Sequence, residues 1–257
     1  MGIHPTALVD PGARLGAGVT IGPYAIIEAD TEIGDGCVIA AHAVIKRYTR
    51  MGADNRVAEH AVLGGEPQDF KFSACESFVE IGHGNRFREG VTVHRSNHAG
   101  GVTRIGNECF FMAMSHVAHD CVLGNQIILA NGALLGGHVE IADRAFLSGG
   151  VTVHQFCRVG RMAMVAASAR ISQDCLPFTI TDGNPGRARA LNLVGLKRAG
   201  MSAEDIAALR RAFHALRSTQ GLEAILAGME AEPSPAVREL ASFIRASRRG
   251  FAHCHCR

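Results

Sequence analysis

The sequence contains no tryptophan and only two tyrosines, and aromatic residues make up 5% of its 257 residues. It lacks a run of about 18 apolar residues, the length that spans a membrane. Residues 1–10 lack the basic and apolar regions of a secretory signal peptide. We therefore expect a cytoplasmic protein without a transmembrane segment. Hydrophobic residues still make up 47% of the chain, so small aliphatic side chains must fill the core.

The formal net charge of +2 conceals an uneven distribution along the chain. Residues 187–257 contain 12 Lys and Arg against 6 Asp and Glu, a formal charge of +6, whereas residues 1–186 carry −4. A basic end favours an acidic partner. The excess is too small to indicate nucleic acid, and we expect no nucleic-acid partner.

A large apolar residue recurs at every sixth position over residues 3–63, 81–93 and 105–171. A period of six fits neither an α-helix nor a simple alternating strand. It is typical of short strands joined by turns, in which the chain coils and the apolar side chains stack into one core. Two interruptions, near 64–80 and 94–104, keep the phase, and we interpret them as loops that replace strands.

Five of the eight cysteines fall on a second phase of the repeat, where small residues predominate: Cys37, Cys109, Cys121, Cys157 and Cys175. We expect them to be small core residues with reduced thiols. The end of the chain carries His253, Cys254, His255 and Cys256, which are too crowded for a structural zinc site. We predict a frayed tail there.

The repeat fades after Pro177, and the Pro- and Gly-rich stretch 177–195 is interpreted as a linker. Three helices are predicted after it. The first has Ser202 as N-cap with Asp205 in a capping box, the second begins near Leu222, and the third has Ser234 as N-cap before a proline. The predicted domains are a β-solenoid over 1–186 and an α-helical domain over 187–257.

If one coil contains 18 residues, residues 18 apart lie one above another at about 4.8 Å. By the same arithmetic, His116 is predicted to lie above His98. Two further columns gather polar side chains at one edge of the solenoid: His119, Gly137 and Gln155 in one, and Asp120, His138 and Phe156 in the next.

Six motifs make the sequence more specific than its repeat: GEPQDFKF near 64–72, TVHR at 92–95, SHVAHDC at 115–121, GGHV at 136–139, VHQF at 153–156 and NLVGLKR at 192–198. In this order they resemble the acyl-carrier-protein–UDP-N-acetylglucosamine O-acyltransferase family, which opens lipid A synthesis, over nearly the full length. The resemblance implies an all-β left-handed parallel β-helix of triangular section, followed by a small α-helical domain. It also implies a homotrimer with sites between chains, and no cofactor or metal.

The implied reaction transfers a 3-hydroxyacyl group from the thioester of acyl carrier protein to the 3-hydroxyl of UDP-N-acetylglucosamine. A hydroxyl is a weak nucleophile at neutral pH and needs a general base, a task that suits histidine. By resemblance His119 is this base, Asp120 orients it, and the Gly137 N–H stabilises the oxyanion. An acidic acyl carrier protein also suits the basic end of the chain.

The resemblance assigns substrate contacts to Gln68, Asp69, Lys71, His94, His116, His138, His154, Gln155, Asn192 and Arg198. Asn192 and Arg198 are expected to hold the nucleotide, for which arginine is well suited. Val194 and Ala199 depart from the family pattern, which has an acid and a basic residue there. Ala167 lies where the family sets acyl length, and we expect a chain shorter than the longest in the family.

Other functions compete with this one. An N-acyltransferase of the same scaffold carries an additional N-terminal domain, whereas here the repeat begins at Ile3. Transfer to a 3-amino sugar uses almost the same site and stays open. A γ-type carbonic anhydrase would place zinc on His116, His119 and His138, but the motifs and the helical end do not fit it. A purely structural solenoid needs no histidine cluster.

Overall fold

The computed structural model describes residues 2–252, so the predicted tail at 253–256 lies outside the described residues. Within them, no helix combines the length and the apolar composition needed to cross a membrane. Most of the chain is a succession of short strands. These are β1 (Gly2–Ile3), β2 (Leu8–Val9), β3 (Arg14–Leu15), β4 (Thr20–Ile21), β5 (Ile26–Ile27), β6 (Glu32–Ile33), β7 (Val38–Ile39), β8 (Val44–Ile45), β9 (Thr49–Met51), β10 (Arg56–Val57), β11 (Val62–Gly65), β12 (Phe78–Ile81), β13 (Arg86–Phe87), β14 (Thr92–His94), β15 (Val102–Ile105), β16 (Phe110–Phe111), β17 (His116–Val117), β18 (Val122–Leu123), β19 (Ile128–Leu129), β20 (Leu134–Leu135), β21 (Glu140–Ile141), β22 (Phe146–Leu147), β23 (Thr152–Val153), β24 (Arg158–Val159), β25 (Met164–Val165) and β26 (Arg170–Ile171).

Every third strand joins the same parallel sheet, which gives the solenoid three faces. Sheet A begins with β1, sheet B with β2 and sheet C with β3. The three edges are named after the sheets that meet there, and the B–C edge is the turn that follows a sheet B strand. The chain forms the left-handed parallel β-helix that the resemblance implies.

The register confirms the predicted coil length over most of the solenoid. Gly2 pairs with Thr20 and His116 with Leu134, in each case the residue that the predicted coil places directly above. From Ile21 onward the sixth-position side chains point inward and are buried, as are the five cysteines of the second phase, whereas Ile3 at the open end of the solenoid is exposed. Those cysteines are free thiols. Burial of this continuous apolar ladder is the main force that holds the coils together.

The two loops lengthen coils and replace no strand, so the replacement prediction is wrong. Thr49 pairs with Val79 and Phe78 pairs with Val102, and both pairs are further apart in sequence than one regular coil. Residues 66–77 and 95–101 are therefore insertions at the B–C edge, and each face keeps its strand. For the same reason His116 pairs with Thr92 across a lengthened coil. The prediction that His116 lies above His98 is wrong.

Many corner residues adopt a left-handed backbone conformation without being glycine. Asp120 has φ 59°, His138 φ 58° and Phe156 φ 65°, one above another at the B–C edge. Asp, Asn and His tolerate this conformation better than most residues do. The corner geometry thus places one column of side chains outward along the edge.

The stretch 177–195 is a packed part of the fold, and its interpretation as a linker is wrong. Strands β27 (Thr179–Asp182) and β28 (Arg187–Leu191) form an antiparallel hairpin, and β27 continues sheet A beside β25. Phe178 and Leu191 are buried. Gly183, Pro185 and Gly186 lie in the turn of this hairpin, and the predicted domain boundary between 186 and 187 falls at the end of that turn.

Four helices follow the hairpin: α1 (Leu193–Arg198), α2 (Ala203–Ala215), α3 (Leu222–Glu230) and α4 (Pro235–Arg245). The three predicted helices are α2 to α4. The hydroxyl of Ser202 accepts from the Asp205 N–H at 3.0 Å, as the capping box requires. Ser234 precedes α4, but its hydroxyl donates to the Asp205 carboxylate and so ties two helices together.

Arg158 attaches the helices to the solenoid. Its guanidinium lies 3.0 Å from the carboxylate of Asp174, donates to the Phe243 carbonyl at 2.6 Å and lies over the Phe243 ring. Because Asp174 is 1% exposed, loss of either partner would leave a buried charge uncompensated.

Neighbouring isoleucines on β5 test the inward and outward alternation. Ile27 is 1% exposed, whereas Ile26 is 36% exposed. We expect Ile27→Ala to lower the free energy of unfolding by about 2 kcal/mol more than Ile26→Ala does. Only the truncation of Ile27 leaves a cavity in the buried ladder. Urea denaturation followed by circular dichroism measures both variants, and equal losses would contradict this alternation.

Candidate active site

A cleft of about 440 Å³ lies on the outer side of sheet B, next to the B–C edge. Its walls come from four successive coils and from the loop 66–77. The structure thus brings together residues that are far apart in sequence, because the coils stack them. Among the lining residues are seven of the predicted site residues: Gln68, His94, His116, His119, Gly137, His154 and Gln155.

His119 is 8% exposed, and its Nδ1 lies 2.8 Å from Oδ2 of Asp120. Asp120 also accepts from the hydroxyl of Ser96 and from the Asn97 N–H at 3.0 Å. Burial alone would raise the pKa of Asp120, but the bonds from Ser96, His119 and Asn97 outweigh it and lower that pKa. An ionised Asp120 keeps the His119 proton on Nδ1 and leaves Nε2 as an acceptor.

Gly137 lies against the His119 ring and leaves no space for a side chain. A Cβ added there would lie 2.6 Å from Cε1 and 2.7 Å from Nε2 of His119. Within residues 2–252, the Gly137 N–H donates to no protein acceptor. Backbone N–H groups at the same turn position on the C–A edge donate to side chains instead. The Asn125 N–H, for example, donates to Oδ1 of Asp143 at 2.7 Å. The site therefore holds an open donor beside an open acceptor.

His94 and His116 form the deeper wall of the cleft. Their rings meet edge to face with centroids 4.7 Å apart, and His116 Nδ1 lies 2.7 Å from the Thr92 hydroxyl. Burial lowers the pKa of His94 to about 4, helped by His116 and His119, and also lowers the pKa of His116. Both rings are neutral at pH 7. Nδ1 of His94 is buried without a hydrogen-bond partner among the described residues.

His138 lies on the sheet C side of the B–C edge. Its ring stacks on Phe156 with centroids 4.5 Å apart, and its Nε2 lies 3.8 Å from Oδ2 of Asp120. Burial lowers its pKa more than the Asp120 charge raises it. Together with Asp120 and Arg158 it lines a second groove of about 420 Å³. The edge thus separates two concave surfaces, with His119 on one and His138 on the other.

The loop 66–77 carries Asp69 and Lys71. Asp69 accepts from the Asn97 side-chain amide at 3.0 Å and from the Lys71 N–H at 2.9 Å. The Lys71 side chain is exposed. Asn97 thereby connects the loop with Asp69 to the carboxylate that orients His119.

Three residues that hold the site together were not predicted from the sequence: Arg95, Ser96 and Asn97. The Arg95 guanidinium is buried, donates to the Cys75 carbonyl at 3.0 Å and pairs with Glu66 at 3.1 Å, so it anchors the loop 66–77. The motif TVHR contained Arg95, but no signal in the sequence identified its partners. These depend on the paths of the two loops.

Asn192, Arg198 and Ala167 do not line the cleft of the same chain. The Asn192 amide caps α1, since it accepts from the Gly195 N–H at 3.1 Å and donates to the Met162 carbonyl at the C–A edge. Arg198 is exposed at the end of α1, and Ala167 is exposed in a turn at the A–B edge.

Within residues 2–252, one group of three or more His, Cys, Asp or Glu side chains lies close enough together to hold a metal ion. It consists of His98, Asp120 and His138. The set expected for a carbonic anhydrase, with His116 and His119, does not converge within the chain.

Two family models match the sequence, and both agree with the fold. "Bacterial transferase hexapeptide (six repeats)" matches residues 3–47, and "Udp N-acetylglucosamine O-acyltransferase; Domain 2" matches residues 174–252. The matches therefore cover the start of the solenoid and the helical end.

Individual relatives match more of the chain. The acyl-[acyl-carrier-protein]–UDP-N-acetylglucosamine O-acyltransferase of Paracidovorax citrulli is 52% identical over 97% of this chain and 98% of that protein. The enzyme of that name from Alkalilimnicola ehrlichii is 48% identical over 96% and 98%. A shorter match, to the Synechocystis enzyme of that name, is 46% identical over 59% of this chain and 55% of that protein.

Solved structures give the same result. The UDP-N-acetylglucosamine acyltransferase of Bacteroides fragilis is 38% identical with a TM-score of 0.94, over 96% of this chain and 98% of that chain. The chain is thus an acyltransferase built on hexapeptide repeats. It belongs to the acyl-[acyl-carrier-protein]–UDP-N-acetylglucosamine O-acyltransferase family.

The buried neutral His94 makes stability depend on pH. Unfolded histidine takes up a proton near pH 6.5, whereas folded His94 does so only near pH 4. The free energy of unfolding should therefore fall as the pH drops from 6.5 to 4, by up to about 1.4 kcal/mol per pH unit for this one group.

Urea denaturation at several pH values tests this dependence. We expect His94→Asn to show a shallower decline than the unmodified protein, whereas His42→Asn, at an exposed position, keeps the original slope. Identical slopes for all three proteins would contradict the assignment.

Proposed function

We propose that the chain transfers a 3-hydroxyacyl group from acyl carrier protein to the 3-hydroxyl of UDP-N-acetylglucosamine, the first step of lipid A synthesis. The names of its relatives support the substrates. The observation that carries the chemistry is the open Gly137 N–H beside the His119 ring, whose Nδ1 is bound to Asp120. The reaction needs no cofactor. The cytoplasmic location stays a prediction.

In this mechanism Nε2 of His119 takes the proton from the sugar 3-hydroxyl as its oxygen attacks the thioester carbon. The carbonyl oxygen becomes an oxyanion, which accepts a hydrogen bond from the Gly137 N–H. Asp120 stays ionised and stabilises the imidazolium. When the tetrahedral intermediate collapses, the carbon–sulfur bond breaks and the proton passes from Nε2 to the leaving thiolate.

The cleft residues are proposed to hold the sugar and the acyl hydroxyl. The neutral rings of His94 and His116 and the amide of Gln155 offer hydrogen bonds without a net charge, which suits hydroxyl groups, and His154 lies beside them. Gln68, Asp69 and Lys71 bring further polar groups from the loop 66–77, and His138 adds one across the edge.

A homotrimer accounts for the positions that lie away from the cleft. Asn192 and Arg198 would hold the nucleotide from a neighbouring chain, since they lie on other parts of their own. Two apolar side chains are exposed on either side of the B–C edge, Leu134 at 43% and Val122 at 44%. Such an assembly would cover them. Val194 is exposed where the family has an acid, and we expect weaker nucleotide binding.

His119→Ala tests the general base. We expect the rate of acyl transfer to UDP-N-acetylglucosamine to fall by about 10²–10⁴-fold, with an unchanged thermal unfolding midpoint within a few degrees. His60→Ala removes an exposed histidine at the A–B edge and should leave the rate unchanged. Near-normal turnover of His119→Ala would remove His119 from this role. A faster reaction with the 3-amino analogue would instead replace the proposed acceptor.

Ala167→Gly tests the acyl-length assignment. Ala167 lies at the opposite edge of sheet B from His119 and three coils further along, about 14 Å at the usual strand spacing. If its methyl group limits the acyl groove, Ala167→Gly should shift preference towards a longer 3-hydroxyacyl donor. Competition between donors of different length measures the preference, with Ala166→Gly as the control. An unmodified enzyme that already prefers the longest donor would contradict the assignment.

A further inference from the structure

Three side chains converge on the sheet C side of the B–C edge. His98 comes from the inserted loop 95–101, and Asp120 and His138 come from successive coils of one column. Their nearest ligand atoms all lie within 4.8 Å of one another, and Asp120 Oδ2 is 3.8 Å from His138 Nε2. The His98 and His138 rings are 6.1 Å apart between centroids. His98 takes no part in the proposed acyl transfer.

The chemistry of this set favours a divalent transition metal over calcium or magnesium. Two imidazoles and one carboxylate form the three-ligand set of many zinc sites, in which water occupies the fourth position. Calcium and magnesium prefer sites made of oxygen alone. In a tetrahedral zinc site the ligand atoms lie about 3.3 Å apart, given bond lengths of about 2.0–2.1 Å. The Asp120–His138 separation is close to that value.

The site is open in the single chain and adjustable. Asp120 and His138 line a groove of about 420 Å³ together with Val122, so the proposed homotrimer would narrow this groove and would leave the ion to enter along the edge between chains. His98 is exposed, so its ring can rotate over the last ångström or so towards the other two ligands. Its backbone is fixed nearby, because the His98 N–H donates to the Ser96 hydroxyl at 3.1 Å, and that hydroxyl donates to Asp120. Three arginines also line the groove. Arg158 is paired with Asp174, Arg249 donates to the Ser172 carbonyl at 3.3 Å, and Glu140 adds a negative charge that partly offsets Arg248 and Arg249.

We propose that His98, Asp120 and His138 bind a zinc ion, and that the bound ion inhibits acyl transfer. The inhibition rests on the proposed function, whereas the binding site does not. Oδ2 of Asp120 already accepts from His119 Nδ1 and from the Asn97 N–H, which occupies both of its lone pairs. A metal ion on Oδ2 must displace one of these bonds. Its double charge also disfavours the imidazolium that His119 forms during transfer.

Metal binding is measured directly, without the transfer assay. Because His253, Cys254, His255 and Cys256 also carry metal ligands, the experiment uses full-length protein in which these four are replaced by Ala or Ser. After treatment with EDTA and dialysis, titration with Zn²⁺ by calorimetry should give one ion per chain. Co²⁺ should give visible absorption bands of a tetrahedral site. His98→Ala should weaken Zn²⁺ binding at least about tenfold, and His60→Ala should not.

Acyl transfer is then measured with the same proteins. Zn²⁺ should inhibit the tail-substituted protein and its His60→Ala variant over the concentration range in which it binds, and EDTA should reverse the inhibition. The His98→Ala variant should be active without Zn²⁺ and should keep its activity when Zn²⁺ is added. Absence of binding, or binding that is unchanged by His98→Ala, overturns the site. Binding without inhibition overturns the inhibitory role. A protein that binds Zn²⁺ through His98 but transfers no acyl group contradicts the proposed function and leaves the metal site standing.

Discussion

The parallel register of the coils is the constraint on which the rest of the structure depends. Each inward side chain packs on the residue one coil below, so burial of the ladder fixes the register, and the register fixes every outward side chain as well. A shift by one residue would turn the core side chains outward. The columns at the B–C edge are therefore held by the hydrophobic core, although none of their polar members belongs to it.

This constraint also explains how a rigid scaffold carries a precise site. His119 and Gly137 come from successive coils, and the absence of a side chain at Gly137 lets the imidazole lie against its backbone. The inserted loops then add what stacking alone does not supply. Ser96 and Asn97 fix Asp120, and Arg95 anchors the loop with Asp69. In the proposed mechanism, preorganisation of this kind lets the base and the oxyanion donor act without rearrangement.

The period of six predicted the short strands and the core. The columns of His119 and Asp120 also needed the coil of three repeats that the resemblance implies, and then followed from counting. The same counting failed at the loops. Their insertions lengthen the coils that join Thr49 to Val79 and Phe78 to Val102, and both additions are whole multiples of the repeat. The phase is therefore unchanged, and the sequence does not distinguish an inserted loop from a replaced strand. His116 was consequently assigned to the wrong neighbour.

Other errors have different physical causes. Proline and glycine at 177–195 serve a hairpin that packs on sheet A, and local composition does not distinguish it from a linker. The contacts of Arg95 depend on two loop paths that have no period. Asn192 and Arg198 were assigned by resemblance alone, and they lie away from the cleft of their own chain.

The central claim is that His119 and Gly137 act on the two oxygens of one reacting centre. A crystal structure of the protein with its acylated sugar product tests it most directly. The account predicts the sugar 3-oxygen within about 3.2 Å of His119 Nε2, and the ester carbonyl oxygen within hydrogen-bonding distance of the Gly137 N–H. An ester bound with its carbonyl away from Gly137, or with another side chain at the 3-oxygen, would contradict it.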